Sequence, residues 1–353
     1  MTDFIELDGS HGEGGGAILR QALALSAITG KAFKIINIRK GRCNSGLAPQ
    51  HLGCVNAAKD LCNAEVSGHF IGSTEVDFKP SEIKGGRFKI NIGTAGSVTL
   101  LLQALILPSV FSGKKIFFDI IGGTDVKWSQ PFDYFKFVFL PQMKRYADVE
   151  ANLFKRGYFP RGGGEIKLTI QGKYTLSDDI PAILLIERKK LLQIRGVSHA
   201  SMDLEDARVS QRQEASAKLQ LESLKVPINI KLEYSKSLST GSGLALWAMY
   251  GDEELDFENP IVLGADSLGD KGKKSELVGK EAADNLMKFI NSDAAVDPYL
   301  ADQLIPFMAV AGTGLIKTTE VSKHVKSNIY VAEKFCDVKF TIQDNIITCE
   351  KKN

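Results

Sequence analysis

The stretch QALALSAITGKAFKIINI (residues 21–38) can be laid over QALILPSVFSGKKIFFDI (residues 103–120) with Gln, Ala, Leu, Leu and the final Ile in register. Each copy carries apolar residues at helical spacing, as in Ile18, Ala22 and Leu25. A Gly-Lys turn and a β-branched or aromatic run then read as a strand. A weaker third copy, QLIPFMAVAGTGLIK, begins at Gln303. Self-similarity of this kind marks a repeated supersecondary unit. Units that alternate helix and strand pack as sheets with helices on one face, so the expected fold class is an α/β body of repeated units.

The middle of the chain breaks the pattern. From about Leu184 come a strand LLQIRGVSHA, a charged helix DLEDARVSQRQEASAKLQLESLK, strands around Ile228 and Leu244, and a helix ending near Asn291. This reads as a smaller α/β domain inserted at residues 184–278, with residues 1–183 and 279–353 forming the body. One more elaborated repeat is the alternative.

A length of 353 residues fits about two domains, and a net charge of +2 provides no global basic field. Nucleic-acid contact must therefore be local. Five cysteines, none in a C-x-x-C pair, argue against a disulfide framework or structural zinc and for a reducing compartment. The N-terminus carries acids, and the longest apolar run, Val98 to Phe111, is broken by Gln103 and Pro108. The expectation is a cytoplasmic protein without a membrane span.

Ahead of the first repeat lies HGEGGGAILR (residues 11–20), whose glycines allow close approach of an anion to free helix-start amides. The segment lacks the Lys-[Ser/Thr] of a phosphate-binding P-loop. Glu13 would repel the anion unless a divalent cation bridges carboxylate and phosphate; a solvated helix-start acid is an equal reading. In GRCNSGLAPQHLG (residues 41–53) and the residues before it, Arg39, Lys40 and Arg42 surround a turn, with Gln50 and His51 following. Arginine forks suit phosphate, although most such runs are exposed basic turns. Arg20, one turn into the first helix, either joins that pocket or points to water.

RGYFPRGGGEI (residues 156–166) is explained by a turn feeding a strand. In DPYLADQLIPFM, Asp297 can cap a helix that starts at Pro298, carrying Tyr299 at a rigid position for base stacking or core packing. His324 precedes an apolar helical run, and no two of the five histidines have metal-ligand spacing. It is either a solvated loop histidine or a neutral imidazole able to attack phosphorus.

Taken together and in order, HGEGGGAILR, GRCNSGLAPQHLG, GGTD (residues 122–125), RGYFPRGGGEI, YLADQ (residues 299–303) and SKHVKSN (residues 322–328) resemble the RNA 3'-terminal phosphate cyclases nearly end to end. The resemblance implies repeated βαβαββ-type units similar to those of the enolpyruvyl transferases. It also implies ATP-dependent conversion of an RNA 3'-phosphate into a 2',3'-cyclic phosphate. By it His324 is the nucleophile that carries AMP, and Glu13 holds Mg²⁺ or Mn²⁺. Arg20, Arg39, Arg42, Gln50 and His51 face the phosphates or RNA end. Gln103, Pro131, Tyr299, Leu300, Ala301, Asp302 and Gln303 hold ATP, with Pro131 and Tyr299 clasping adenine. Its partners are ATP and RNA with a 3'-phosphate; a homodimer is left open. The sequence departs from the expected pattern at DVKWSQPFDYF, with Lys127, Trp128 and Gln130 before Pro131, and at Ser327 in place of threonine. The rivals are a non-catalytic cyclase-like ribosome-assembly factor, which lacks the histidine, and an enolpyruvyl transferase.

Overall fold

The computed structural model describes residues 4–253, 256 and 259–352. The first unit runs β1 (Ile5–Asp8), α1 (Ala17–Thr29), β2 (Phe33–Ile36), α2 (Pro49–Cys62), β3 (Glu65–Ser67) and β4 (Val76–Lys79), with strand order β1-β2-β4-β3. The second runs β5 (Gly86–Asn91), α3 (Val98–Phe111) and β6 (Lys115–Gly122). A helical stretch follows, formed by α4 (Phe132–Tyr134), a π-helical turn over Phe135–Phe139 and α5 (Leu140–Met143), and then β7 (Ala147–Lys155) and β8 (Gly164–Gly172). Its order, β5-β6-β8-β7, repeats that of the first unit.

The third unit begins with β9 (Ile183–Leu185) and is then interrupted. The insert comprises β10 (Lys190–Ser201), α6 (Val209–Leu221), β11 (Ile228–Ser235), β12 (Ser242–Gly251), β13 (Ile261–Leu268) and α7 (Ser275–Ile290), with strand order β11-β10-β12-β13. The third unit resumes with α8 (Pro298–Ala311), β14 (Gly314–Lys317), α9 (Lys323–Phe335), β15 (Val338–Gln343) and β16 (Ile346–Lys351), and β9 pairs in parallel with β14. Its order β9-β14-β16-β15 is the same pattern again, so the body is three βαβαββ units and the fold is the expected repeated α/β body with an inserted α/β domain. The stretches aligned in the sequence are the α1-β2, α3-β6 and α8-β14 segments of these units.

Both expected boundaries of the insert fall inside elements. Position 184 lies within β9, a strand of the body sheet, and 278/279 falls within α7. Val278, Ala282, Ala283 and Leu286 of α7 share a core with Leu244, Leu246, Leu263 and Ala265 of β12 and β13, so the insert's helical layer extends to Ile290. The body core forms where α1, α3, α8 and α9 meet, with Leu23, Leu101, Leu304 and Val331 fully buried. Each such side chain contributes roughly 1.5–3 kcal/mol of transfer free energy. Helix α1 is buried on every side from Ala17 to Ala27, which takes Arg20 and Gln21 inside with it. A charged residue on a fully buried helix is affordable only where something polar meets it.

Candidate active site

The loop from β1 to α1 is docked on the start of α9. The Glu13 N–H donates to Ser327 Oγ at 3.3 Å, and that hydroxyl donates to the Lys323 carbonyl at 3.0 Å. The His11 and Tyr330 rings stack with centroids 4.1 Å apart. Gly12 has φ of +62°, and a Cβ there would meet Ser327 Oγ at 2.6 Å, so the closeness of loop and helix depends on glycine.

This docking brings Glu13 to His324, the second residue of α9. The carboxylate Oε2 lies 3.9 Å from His324 Nδ1, and Oε1 makes an ion pair with Arg42. Burial and the cations of Arg20 and Arg42 hold the imidazole pKa below its ordinary value. Position at a helix N-terminus acts in the same direction. The result is a neutral, half-exposed imidazole at physiological pH.

The Arg20 guanidinium is buried, and its Nε donates to Gln103 Oε1 at 2.9 Å, so a residue of the second unit orients it. A Cβ at Gly16 would meet His51 Nε2 at 2.2 Å and Arg20 Nη1 at 2.7 Å; glycine there lets both side chains reach the start of α1. Gly16 itself gives α1 no side-chain cap. Burial, then Arg20 and Arg39, push the His51 pKa down to about 3, and its buried Nδ1 has no hydrogen-bond partner among the described residues. Arg39 Nη1 donates to the Gly46 carbonyl at 2.9 Å, and Gln50 Oε1 accepts from the Ser97 N–H at 3.1 Å, so these two brace neighbouring loops.

On the other side, Asp297 caps α8 by accepting from the Tyr299 and Leu300 amides, and it also accepts from Tyr134 and from the Gly264 amide of the insert. Tyr299 is thereby held partly exposed, edge-on to Tyr134 at 6.2 Å and to Phe289 at 6.3 Å. Pro131 is buried at the N-cap of α4, one turn before Tyr134. Gln303 Nε2 donates to the Tyr299 carbonyl, and Gln303 lines a narrow cleft with Gln21, Thr99, Gln103, Phe135 and Phe139. Desolvation pushes the Asp302 carboxyl up to about 8, against the pull of Arg20. Leu300 and Ala301 are fully buried core residues; their side chains face the hydrophobic interior, which leaves only their backbone for a nucleotide.

Glu13 supplies one hard oxygen, which fits a magnesium-type ion that takes its remaining ligands from water and substrate phosphates. Among the described residues, the one cluster of ligand type is Asp125, Asp133 and His199. It lies at the junction of body and insert and already holds a cation. Arg156, 1% exposed, contacts Asp125 Oδ1 at 3.1 Å, Asp133 Oδ2 at 2.8 Å and Glu233 Oε1 at 2.8 Å. His199 Nε2 lies 3.3 Å from Asp125, and His199 Nδ1 lies 2.9 Å from Tyr158 Oη. Sequence reasoning missed this network. Its signal was the Arg-Gly-Tyr that opens RGYFPRGGGEI, read there only as a turn.

Residues 11–342 match the sequence pattern of the family described as RNA 3'-terminal phosphate cyclase. A Pyrococcus furiosus protein named RNA 3'-terminal phosphate cyclase is 44% identical over 348 residues, covering 97% of this chain and 96% of its own. A protein of the same name from Archaeoglobus fulgidus is 45% identical over 337 residues, covering 94% and 95%. One from Methanosarcina mazei is 42% identical over 356 residues, covering 97% of each. With a family match spanning nearly the whole chain and relatives aligned end to end, this chain belongs to the RNA 3'-terminal phosphate cyclase family.

Proposed function

We propose that the protein uses ATP to convert the 3'-phosphate of an RNA into a 2',3'-cyclic phosphate, with His324 carrying AMP between the two substrates. The observation that carries this reading is the pairing of a neutral His324 with Glu13 beside Arg20 and Arg42. With Nδ1 turned to Glu13, Nε2 is the nitrogen left for phosphorus. It attacks the α-phosphorus, a P–O bond breaks, pyrophosphate departs and the imidazole loses its proton. An oxygen of the RNA 3'-phosphate then takes the adenylate from nitrogen as the imidazole regains its proton and the P–N bond breaks. Finally the 2'-hydroxyl oxygen attacks the activated phosphorus and expels AMP, a far better leaving group than oxide. That step requires a 2'-hydroxyl and so selects RNA over DNA.

The protein's own part is positional. Arg20, fixed by Gln103, and Arg42 offer guanidinium donors to phosphate, and Tyr299 offers its partly exposed ring to adenine, with the buried Pro131 as part of the α4 cap. A divalent ion held by Glu13 would neutralise charge on the nucleotide phosphates. No helix of the described residues is long and apolar enough to cross a membrane.

The test is incubation with α-³²P-labelled ATP and metal, then denaturing electrophoresis. A label lost in acid and stable in alkali is expected, followed by cyclisation of a 3'-phosphorylated oligoribonucleotide. A folded, AMP-free protein that takes no label would favour the non-catalytic assembly factor.

A further inference from the structure

Trp128 and Phe159 are the two most exposed large hydrophobic side chains among the described residues, at 95% and 74%. Leaving such rings in water forgoes the burial that usually holds aromatics in place. Trp128 also sits at φ of +69°, a left-handed conformation that is costly for a bulky side chain. Neither residue has a role in the body core or in the adenylylation chemistry above.

Both stand on loops seated against one short segment, Thr94 to Ser97. The loop that follows β6 and carries Trp128 is tied to it by backbone: the Gly123 N–H donates to the Gly96 carbonyl at 2.8 Å, and the Val98 N–H to the Gly123 carbonyl at 2.9 Å. The loop carrying Phe159 presses on the same segment, where a Cβ at Gly162 would meet the Thr94 carbonyl oxygen at 2.7 Å. That loop is held further by the Arg161 N–H to Ser239 Oγ at 3.1 Å and by the buried Tyr158. The shared segment in turn donates its Ser97 amide to Gln50, next to His51 and Arg20. Two exposed rings thus stand on loops seated against the segment that bonds Gln50, with the exposed Arg161 two residues from Phe159.

Resting on the cyclase reading, we propose that Phe159 and Trp128 are stacking platforms for bases of the single-stranded RNA that leads to the 3'-phosphate, with Arg161 facing its backbone. Every base has a π-face, so such platforms bind RNA without demanding a sequence. They suit an enzyme that must accept an end rather than a particular sequence.

The test uses the full-length protein and a short single-stranded oligoribonucleotide with a 3'-phosphate. Phe159→Ala and Trp128→Ala should each raise KM for the RNA about 5- to 150-fold. Kcat and the rate of labelling by ATP alone should stay unchanged. Phe159→Tyr should restore KM and Phe159→Leu should not. A Trp247→Phe variant, which removes the buried indole stacked on Phe137, leaves Trp128 as the sole tryptophan, and the RNA should quench its indole emission. An unchanged KM, full rescue by leucine, or Trp128 emission indifferent to bound RNA overturns the platforms while leaving the cyclase reading intact. Altered sedimentation of Trp128→Ala would likewise overturn them, by making the rings a contact between copies of the chain. Quenching by RNA in a protein that never accepts AMP would uphold the platforms and sink the cyclase reading.

Discussion

Arg20 Nε donates to Gln103 Oε1 at 2.9 Å, a bond between the equivalent first helices of two repeated units. The repeat thus does more than build a core: it places a buried cation from one copy under the control of an amide from the next. Gln103→Leu should leave the guanidinium Nε unpaired, at a cost of about 1–3 kcal/mol in urea unfolding. It should also slow AMP labelling at low ATP. A double-mutant cycle with Arg20→Lys should show coupling; additive effects would mean that the bond orients nothing.

His324 should label at lower pH than a free imidazole permits, because burial, Arg20 and Arg42 all disfavour its protonated form. The acid limb of the labelling rate is therefore expected below the ordinary value of 6.5. Arg42→Ala removes one cation and frees Glu13, and both changes favour imidazolium, so the limb should move to higher pH. Stopped labelling reactions across a pH series read this directly. A limb that stays put would show that Arg42 does not act on the histidine.

Glu13→Gln keeps the shape of the side chain and removes its charge. If the carboxylate holds the divalent ion, half-maximal labelling should need metal raised by at least the ~10–100-fold that weaker supporting contacts are worth. A labelling curve unchanged in metal concentration would return Glu13 to a partner of Arg42 only.

How much of this was legible in the sequence depends on the range over which each feature is encoded. The three units were readable because helix, Gly-Lys turn and strand lie within about twenty residues of one another, where periodicity acts. Glu13 and His324 stood out as an acid inside a glycine loop and a lone histidine before a helix, although only the fold brings residues so far apart to 3.9 Å. Leu300 and Ala301 were assigned to the nucleotide by motif, and the direction of a side chain on α8 is a tertiary fact. The insert's edges were misplaced because β9 is only three residues long and pairs with a strand beyond the insert. In α7 the apolar face points to the insert while its sequence reads as a generic amphipathic helix. The Arg156 network went unread, although Arg-Gly-Tyr was its signal, because its acids Asp125, Asp133 and Glu233 are far from Arg156 in sequence and only the fold gathers them.

That network should be the main tie between body and insert. Arg156→Met leaves Asp125 and Asp133 buried without their cation, and breaking a buried pair from one side typically costs ~3–5 kcal/mol. The loss should appear in urea unfolding, and limited proteolysis should release a fragment near residues 190–290. Stability within 1 kcal/mol of the parent, a value on the order of a surface substitution, would deny the network that role.

Asp297 joins α8, Tyr134 and the insert strand β13 through a single carboxyl, and burial pushes its pKa up to about 6 in spite of the amide and phenol donors that favour the anion. In the unfolded chain the group ionises near 3.8. Between those values the folded state keeps a proton that the unfolded state has lost, so the stability contributed by Asp297 is full below 3.8 and declines as pH rises to about 6. The decline should be roughly 1.4 kcal/mol per pH unit, with no further change above that range. Asp297→Asn has no such titration. The stability of the parent minus that of Asp297→Asn, measured by urea unfolding, should therefore fall across the window and level off beyond it. Asp297→Ala should be worse at every pH, because it leaves Tyr134 Oη and the Gly264 amide without their acceptor, at ~1–3 kcal/mol each. A parent-minus-Asn difference flat from pH 4 to 7, a range spanning about 3 units, would show that the carboxyl is already ionised in the folded protein and that its four donors outweigh its burial.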